Sequence, residues 1–185
     1  MVQFDFTGRS VLVTGAAGAI GKGVAAAFCR SNATVFITDL QPEAVAAAVA
    51  ELRAVGRCQG LAGDVTQADQ VRAIVQAAAD DAGGRIDILV NVAGIVGQGR
   101  VEEISETEWD RVFAVNCKGT FLFTRAVVPL MKAHRYGRIV NFSSKSGKTG
   151  SALMSHYSAA KAAVIGFTQA LAYELADWGI NVNCI

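Results

Sequence analysis

Tyr157 and Lys161, in the run Tyr157-Ser158-Ala159-Ala160-Lys161, are the pair in this 185-residue chain with the plainest chemical use. On a helix, positions i and i+4 share a face, so a phenol and an ammonium meet there. A free phenol, with a pKa of about 10, is a poor base at neutral pH. A neighbouring ammonium stabilises phenolate and brings proton exchange with an alcohol towards physiological pH. Chance yields such a spacing about one time in ten, so the pair needs company. Ser144 supplies it: the serine follows an expected strand, and its hydroxyl would steady a carbonyl or alkoxide oxygen beside the phenol.

A second group lies near the N-terminus. Thr14 to Gly21 reads TGAAGAIG between an expected strand and an expected helix. A dinucleotide's phosphate bridge needs close backbone, free N–H groups and a helix N-terminus, and large side chains obstruct all three. Glycine or alanine at every position from 15 to 19 meets that need. Asp39, roughly 20 residues further on at the end of the next strand, is placed to bind ribose hydroxyls and to repel a 2′-phosphate. With no lysine or arginine in the loop or directly after Asp39, NAD is favoured over NADP.

The elements that must hold these groups alternate regularly. Expected strands are Val11 to Val13, Thr34 to Thr38, Cys58 to Leu61, Ile86 to Val90, Arg138 to Phe142 and Ile180 to Ile185. Expected helices are Gly21 to Arg30, Glu43 to Val55, Ala68 to Ala82, Thr107 to His134 and Tyr157 to Ala176. Ser105-x-x-Glu108 is a capping box for the fourth helix, and Pro129 is a candidate kink or end within it. Pro42 suits the first turn of the second helix. Strands without polar alternation indicate a sheet covered on both faces. The pattern predicts an α/β fold: a doubly wound parallel sheet in three α/β/α layers, one domain over residues 1–185. Ligands in such sheets bind beyond the carboxyl ends of the strands, where Asp39, Asp64, Asn91 and Ser144 fall.

Composition narrows the classes. The apolar fraction is 52% and the charged fraction 18%, against a disordered chain. Net charge is +1 with no basic block, so no nucleic-acid partner is expected. No apolar run reaches a membrane span, and Met1 to Ser10 lacks the core of a secretory signal. Cys29, Cys58, Cys117 and Cys184 are scattered and beside them stand two histidines, His134 and His156. They read as reduced thiols of a cytoplasmic protein, with no metal site. His156 reads as a pocket-wall or surface residue. Lys145 and Lys148, read as facing the pocket, would attract an anionic substrate or simply solvate their loop.

Taken together, TGAAGAIG at 14–21, Asp39, Asp64–Val65, NVAG at 91–94, Asn116, Ser144 and YSAAK at 157–161 resemble the short-chain dehydrogenase/reductase family in order and spacing. The resemblance implies a Rossmann-type fold and hydride transfer between NAD(H) and a secondary alcohol or ketone, such as a polyol or hydroxy acid. It implies Tyr157 as acid/base, Lys161 as its cation and ribose ligand, Ser144 as holder of the substrate oxygen, and Asn116 as the seat of a relay water. Gly15, Ala17, Gly18, Ala19, Ile20, Gly21, Asp39, Asp64, Val65, Asn91, Ala93 and Gly94 would line the cofactor, with Asp64 at the adenine. Three departures stand out. Ala19 replaces the family's middle glycine, Val92 replaces its second asparagine, and relatives continue past Ile185 with a substrate-covering segment and a final strand. The chain is therefore expected to be a C-terminally truncated member with one sheet edge uncovered. Gly18, where NADP-preferring relatives often carry a basic residue, again favours NAD. The family also implies a homotetramer or homodimer through the helices near 107–134 and 157–176. Two alternatives stay open: an NADPH-dependent reductase of 3-oxoacyl carrier-protein thioesters, and a non-catalytic NAD(H)-binding protein.

Overall fold

The computed structural model describes residues 4–185. Of the segment read above as no secretory signal, residues 1–3 lie outside the described residues. The strands are β1 (Ser10–Thr14), β2 (Thr34–Thr38), β3 (Cys58–Gly60), β4 (Ile88–Asn91), β5 (Gly137–Asn141) and β6 (Ile180–Cys184). They form one sheet in the order β3-β2-β1-β4-β5-β6, and every pairing is parallel. The helices are α1 (Ala19–Arg30), α2 (Pro42–Arg53), α3 (Ala68–Asp81), α4 (Glu106–Phe113), α5 (Gly119–His134), α6 (Lys145–Thr149) and α7 (Ser155–Leu175). This is the doubly wound, three-layer arrangement that the strand–helix alternation predicts.

Strand geometry explains the unbroken apolar runs. Successive side chains point to opposite faces. Leu12, Phe36, Leu89 and Ile139 pack into one layer with Val71, Ile74 and Val75 of α3 and Leu122, Phe123 and Val127 of α5. Val11, Val13, Val35, Ile37, Ile88 and Val90 pack into the other, with Ala25 and Cys29 of α1 and Val45, Ala48 and Leu52 of α2. Both faces must be apolar where both are covered. Coverage narrows towards the other edge, however. Val140 and Phe142 are only partly buried, and Asn181 and Asn183 of the edge strand β6 are exposed. The expectation of two covered faces thus holds for β1, β2 and β4 but not for β5 and β6, where the α1–α2 layer does not reach.

Several boundaries differ from the sequence reading. α1 starts at Ala19, two residues early, because Gly18 serves as its N-cap with extended backbone. β4 starts at Ile88, after Asp87 has turned its carboxylate inward. The expected helix over 107–134 is one helical path widened by a π-turn at Ala114–Lys118, where the Gly119 N–H reaches Ala114 O. Pro129 lies inside α5 and does not end it; the helix stops at Arg135, which takes a left-handed φ of 48°. Ser105 accepts a hydrogen bond from the Glu108 N–H, one half of the capping box, while the Glu108 carboxylate turns to Arg111. The short α6 has no hydrophobic periodicity and was not foreseen.

At the end of the sheet away from the strand carboxyl termini, Asp87 is buried with its Oδ2 accepting from the Ser10 N–H at 3.0 Å and the Ser10 hydroxyl at 3.1 Å. Its Oδ1 pairs with Arg85 and, at 3.4 Å, with Arg9. Burial alone would raise its pKa, but the Arg85 and Ser10 bonds outweigh this and hold the carboxyl below its usual value. This contribution is present above the unfolded carboxylate pKa and is lost as pH falls through the folded one. Asp87→Ala leaves Ser10 and two guanidinium groups without their partner and should cost about 3 kcal/mol in urea unfolding. Turnover per folded molecule should stay at the parent level.

Candidate active site

The strand order reverses between β1 and β4: β2 lies on one side of β1 and β4 on the other, which opens a crevice at their carboxyl ends. A cleft of about 490 Å³ occupies it, lined by the loops after β1, β2, β3 and β4 together with the π-turn residue Val115. A groove of about 560 Å³ between α3 and α5 is larger but holds none of the site residues anticipated from the sequence.

One end of the cleft is backbone. Gly15 has φ +64°, and a Cβ there would lie 2.7 Å from Ala93 Cα. At Gly21 a Cβ would overlap Gly15 O. These glycines let the first loop press against the fourth strand's loop and against its own helix. The Gly18 cap has no side chain to satisfy the first turn of α1, so the N–H groups of Ala19 to Gly21 stay free for an anion. Ile20 is 64% exposed beside them. Asp39 Oδ2 accepts from the Ala17 N–H at 2.9 Å and its Oδ1 from the Leu40 N–H at 2.7 Å. Each oxygen keeps a further lone pair for a hydroxyl donor. Asp64 Oδ1 accepts from the Thr66 N–H at 2.8 Å, and Val65 is buried behind it. Asp39 and Asp64 are the charged residues of the cleft lining, which holds no cation.

The sequence reading did not give Thr14 a role. Its hydroxyl accepts from the N–H groups of both Val92 and Ala93 at 3.1 Å and so fixes the NVAG turn to β1. Only its position, a polar residue ending a buried apolar strand, hints at this. Asn91 was expected to line the cofactor, but its side chain turns into the interior. Its Nδ2 donates to Asn141 Oδ1 at 2.8 Å and Thr124 Oγ1 at 3.3 Å, and it is absent from the cleft lining. Ala93 and Gly94 do line the cleft.

Behind Gly94, and outside the lining of the cleft itself, stand the groups of chemical interest. Lys161 is 4% exposed. Its Nζ donates to Phe142 O at 2.7 Å and lies 5.9 Å from the centre of the Tyr157 ring. The two side chains therefore share a face of α7, as their spacing requires. Burial pushes the Lys161 ammonium down to about 8. Gly147 of α6 lies against the backbone of Lys161 and Ala162, where a Cβ would come within 2.7 Å, so the loop carrying Ser144 is docked on α7. The Ser144 hydroxyl accepts from the Ser146 N–H at 3.1 Å, which leaves its own hydrogen free to donate. Among the described residues the Tyr157 hydroxyl has no protein hydrogen-bond partner. Lys145 and Lys148 are exposed on α6, just after Ser144.

Asn116 sits fully buried in the π-turn. Its Nδ2 donates to Ile95 O at 2.8 Å and Val112 O at 2.9 Å. Its Oδ1 has no partner. A Cβ on Gly94 would stand 2.7 Å from that oxygen and 3.3 Å from Lys161 Nζ, so Gly94 lies over both. A buried acceptor without a partner beside an ammonium is a fitting seat for an ordered water. The open helix terminus, the glycine cradle and the acid at Asp39 together fit a dinucleotide.

The same fold recurs in known proteins. Residues 9–185 match the family model described as short chain dehydrogenase. The chain belongs to that family. A (2S)-((R)-hydroxy(phenyl)methyl)succinyl-CoA dehydrogenase subunit of Thauera aromatica is 44% identical over 178 residues, covering 96% of this chain and 71% of the relative. NAD+-bound xylitol dehydrogenase superposes with a TM-score of 0.93 at 33% identity, covering 97% of this chain and 69% of that one. An actinorhodin polyketide ketoreductase with NADPH superposes with a TM-score of 0.93 at 36% identity, covering 95% and 68%. This short-chain dehydrogenase is thus a nicotinamide-dependent oxidoreductase of CH–OH and keto groups. Among the described residues no helix is long and apolar enough to cross a membrane.

Proposed function

We propose that this short-chain dehydrogenase moves a hydride between NAD(H) and a small secondary alcohol or ketone, with Tyr157 as the acid/base. The observation that carries the reading is the buried Lys161 ammonium, anchored on Phe142 O and set against the Tyr157 ring. A bound dinucleotide supplies the hydride donor or acceptor at its nicotinamide. Everything else falls to the chain. Ser144 donates its free hydrogen to the substrate oxygen, and Tyr157 takes or gives the proton at that oxygen. Lys161 stabilises the phenolate and holds the nicotinamide ribose. Asn116 Oδ1 seats a water through which the proton leaves towards solvent. Gly15, Ala17, Gly18, Ala19, Ile20 and Gly21 cradle the phosphates, Asp39 takes the adenosine ribose, and Asp64 and Val65 border the adenine. Ala93 and Gly94 back the nicotinamide, with Asn91 bracing their turn from inside.

NAD rather than NADP is supported by Asp39 and by the lack of any cation in the cleft lining. The same feature speaks against the NADPH-dependent 3-oxoacyl carrier-protein reductase reading. A homodimer or homotetramer through α5 and α7 is supported by Phe121, which is 40% exposed and meets Phe167 edge to face at 6.3 Å. We place the enzyme in the cytoplasm on the strength of its unpaired cysteines, of which Cys29 and Cys58 lie side by side as free thiols.

The test is nicotinamide absorbance with a panel of secondary alcohols and ketones, run with NAD(H) and NADP(H), beside a fluorescence titration of NADH binding. NAD-dependent turnover is expected. Binding of NADH with no turnover across the panel would establish the non-catalytic alternative.

Lys161→Met gives a sharper prediction. An ammonium held at about 8 instead of 10.5 binds its proton less well in the folded chain than in the unfolded one. Stability therefore rises with pH through the window between those values and carries the full penalty, about 3 kcal/mol, below pH 8. Methionine removes that penalty and loses one hydrogen bond worth about 1 kcal/mol. At pH 7 the variant should melt no lower than the parent while its turnover falls on the order of 10²-fold.

A further inference from the structure

His156 is a fully buried titratable side chain that the proposed chemistry leaves without a task. It stands second in α7, beside Tyr157, with no exposed surface. Neither Nδ1 nor Nε2 has a hydrogen-bond partner, although a buried imidazole ordinarily finds at least one. Of the two sequence expectations, pocket wall or surface, burial rules out the surface one, and nothing in SHYSAAK marks a buried orphan. Glu108 Oε1, in the first turn of α4, lies 3.9 Å from Nε2, beyond hydrogen-bond reach. Arg111 holds the Glu108 carboxylate at 2.8 and 3.0 Å and is the other charged group facing it. Against the ring lies Gly97, where a Cβ would overlap Nε2.

The loop between β4 and α4 is caught between these groups. Gly97 rests on His156, Ile95 O accepts from Asn116, and Gly94 lies over Asn116 Oδ1 and Lys161 Nζ. We propose that His156 and Glu108 form a hydrogen-bonded clasp that closes on the occupied site and seats residues 94–97 over Lys161. His156 is then a positioning residue; the inference rests on the reading of Tyr157 and Lys161 as acid/base and cation. Closing the gap to about 2.9 Å moves the first turn of α4 about 1 Å towards α7. The motion passes through Gly97 and Gly94 to the wall of the nicotinamide site, where displacements of that size govern rate.

The test is a double-mutant cycle on the full chain with kcat, KM, NADH affinity and thermal midpoint as readouts. His156→Phe keeps the ring's bulk and removes its nitrogens; Glu108→Ala removes the acceptor. Each single variant should lower kcat about tenfold with NADH affinity and midpoint near the parent's, and the double should be no worse than either single. His156→Gln and Glu108→Gln, which keep a donor and an acceptor, should recover most of kcat. Additive losses, unchanged kcat, or kcat that falls only in step with the midpoint would overturn the clasp. Should His156→Phe fail to fold, the contrast between Glu108→Ala and Glu108→Gln decides on the same terms. Tyr157→Phe run alongside separates the two levels: if it keeps turnover, the underlying reading falls, and if it loses turnover while the cycle is additive, the clasp alone falls.

Discussion

Replacing Tyr157 with phenylalanine should lower kcat about 10³-fold while NADH binds as tightly as to the parent. The substitution removes one oxygen from a half-buried ring whose hydroxyl has no protein partner among the described residues, so no buried polar group is orphaned. Stability should stay within about 0.5 kcal/mol of the parent. What disappears is the proton path at the substrate oxygen. Lys161 remains anchored on Phe142 O, Gly94 still lies over it, and the Gly15 to Gly21 cradle is remote from the change. A loss confined to kcat, with binding and melting unchanged, distinguishes an acid/base from a packing residue. Parallel losses in all three would assign the phenol to structure instead.

The second large effect lies at Asp39. The parent should use NAD over NADP by about 10² or more in kcat/KM, because a 2′-phosphate would face a carboxylate with no cation in the cleft lining. Asp39→Asn keeps the side chain's shape and one acceptor for the Ala17 N–H, and gives up only the bond from the exposed Leu40 N–H, so the loop should hold. It removes the charge proposed to grip two ribose hydroxyls, each bond to a charged group being worth about 1.5–3 kcal/mol. The NAD preference should shrink by about 10², partly through weaker NAD binding and partly through relief of repulsion towards NADP. Paired steady-state measurements with both cofactors on parent and variant check this. An undiminished preference for NAD in the variant would move the discrimination elsewhere in the cleft.

Much of the site was legible because spacing and strand ends carry direct geometric meaning. Residues i and i+4 must share a helix face, and Tyr157 and Lys161 do. Asp39 had to fall beside the glycine loop because β1 and β2 pair in register, Thr14 with Thr38. What stayed hidden depends on contacts distant in sequence or on local geometry without a compositional mark. Lys161 Nζ reaches Phe142 O across 19 residues. The π-turn around Asn116 leaves the hydrophobic pattern of the long helix intact. Asn91 was assigned to the cofactor by motif, yet Asn141 and Thr124 draw its amide inward. The open face of β5 and β6 was missed because isolated apolar runs do not reveal which layer covers them.

The proposed reaction turns on one event: direct transfer of hydrogen between the nicotinamide and a carbinol carbon that Ser144, Tyr157 and Lys161 would hold. Reduction of a ketone from the reactive panel with NADH deuterated on the transferring face, followed by mass spectrometry of the alcohol, tests it. The alcohol should carry one deuterium on the carbinol carbon with the parent and almost none over the same time with Tyr157→Phe. Deuterium lost to solvent with the parent, or incorporated at the parent rate by the variant, would contradict the account.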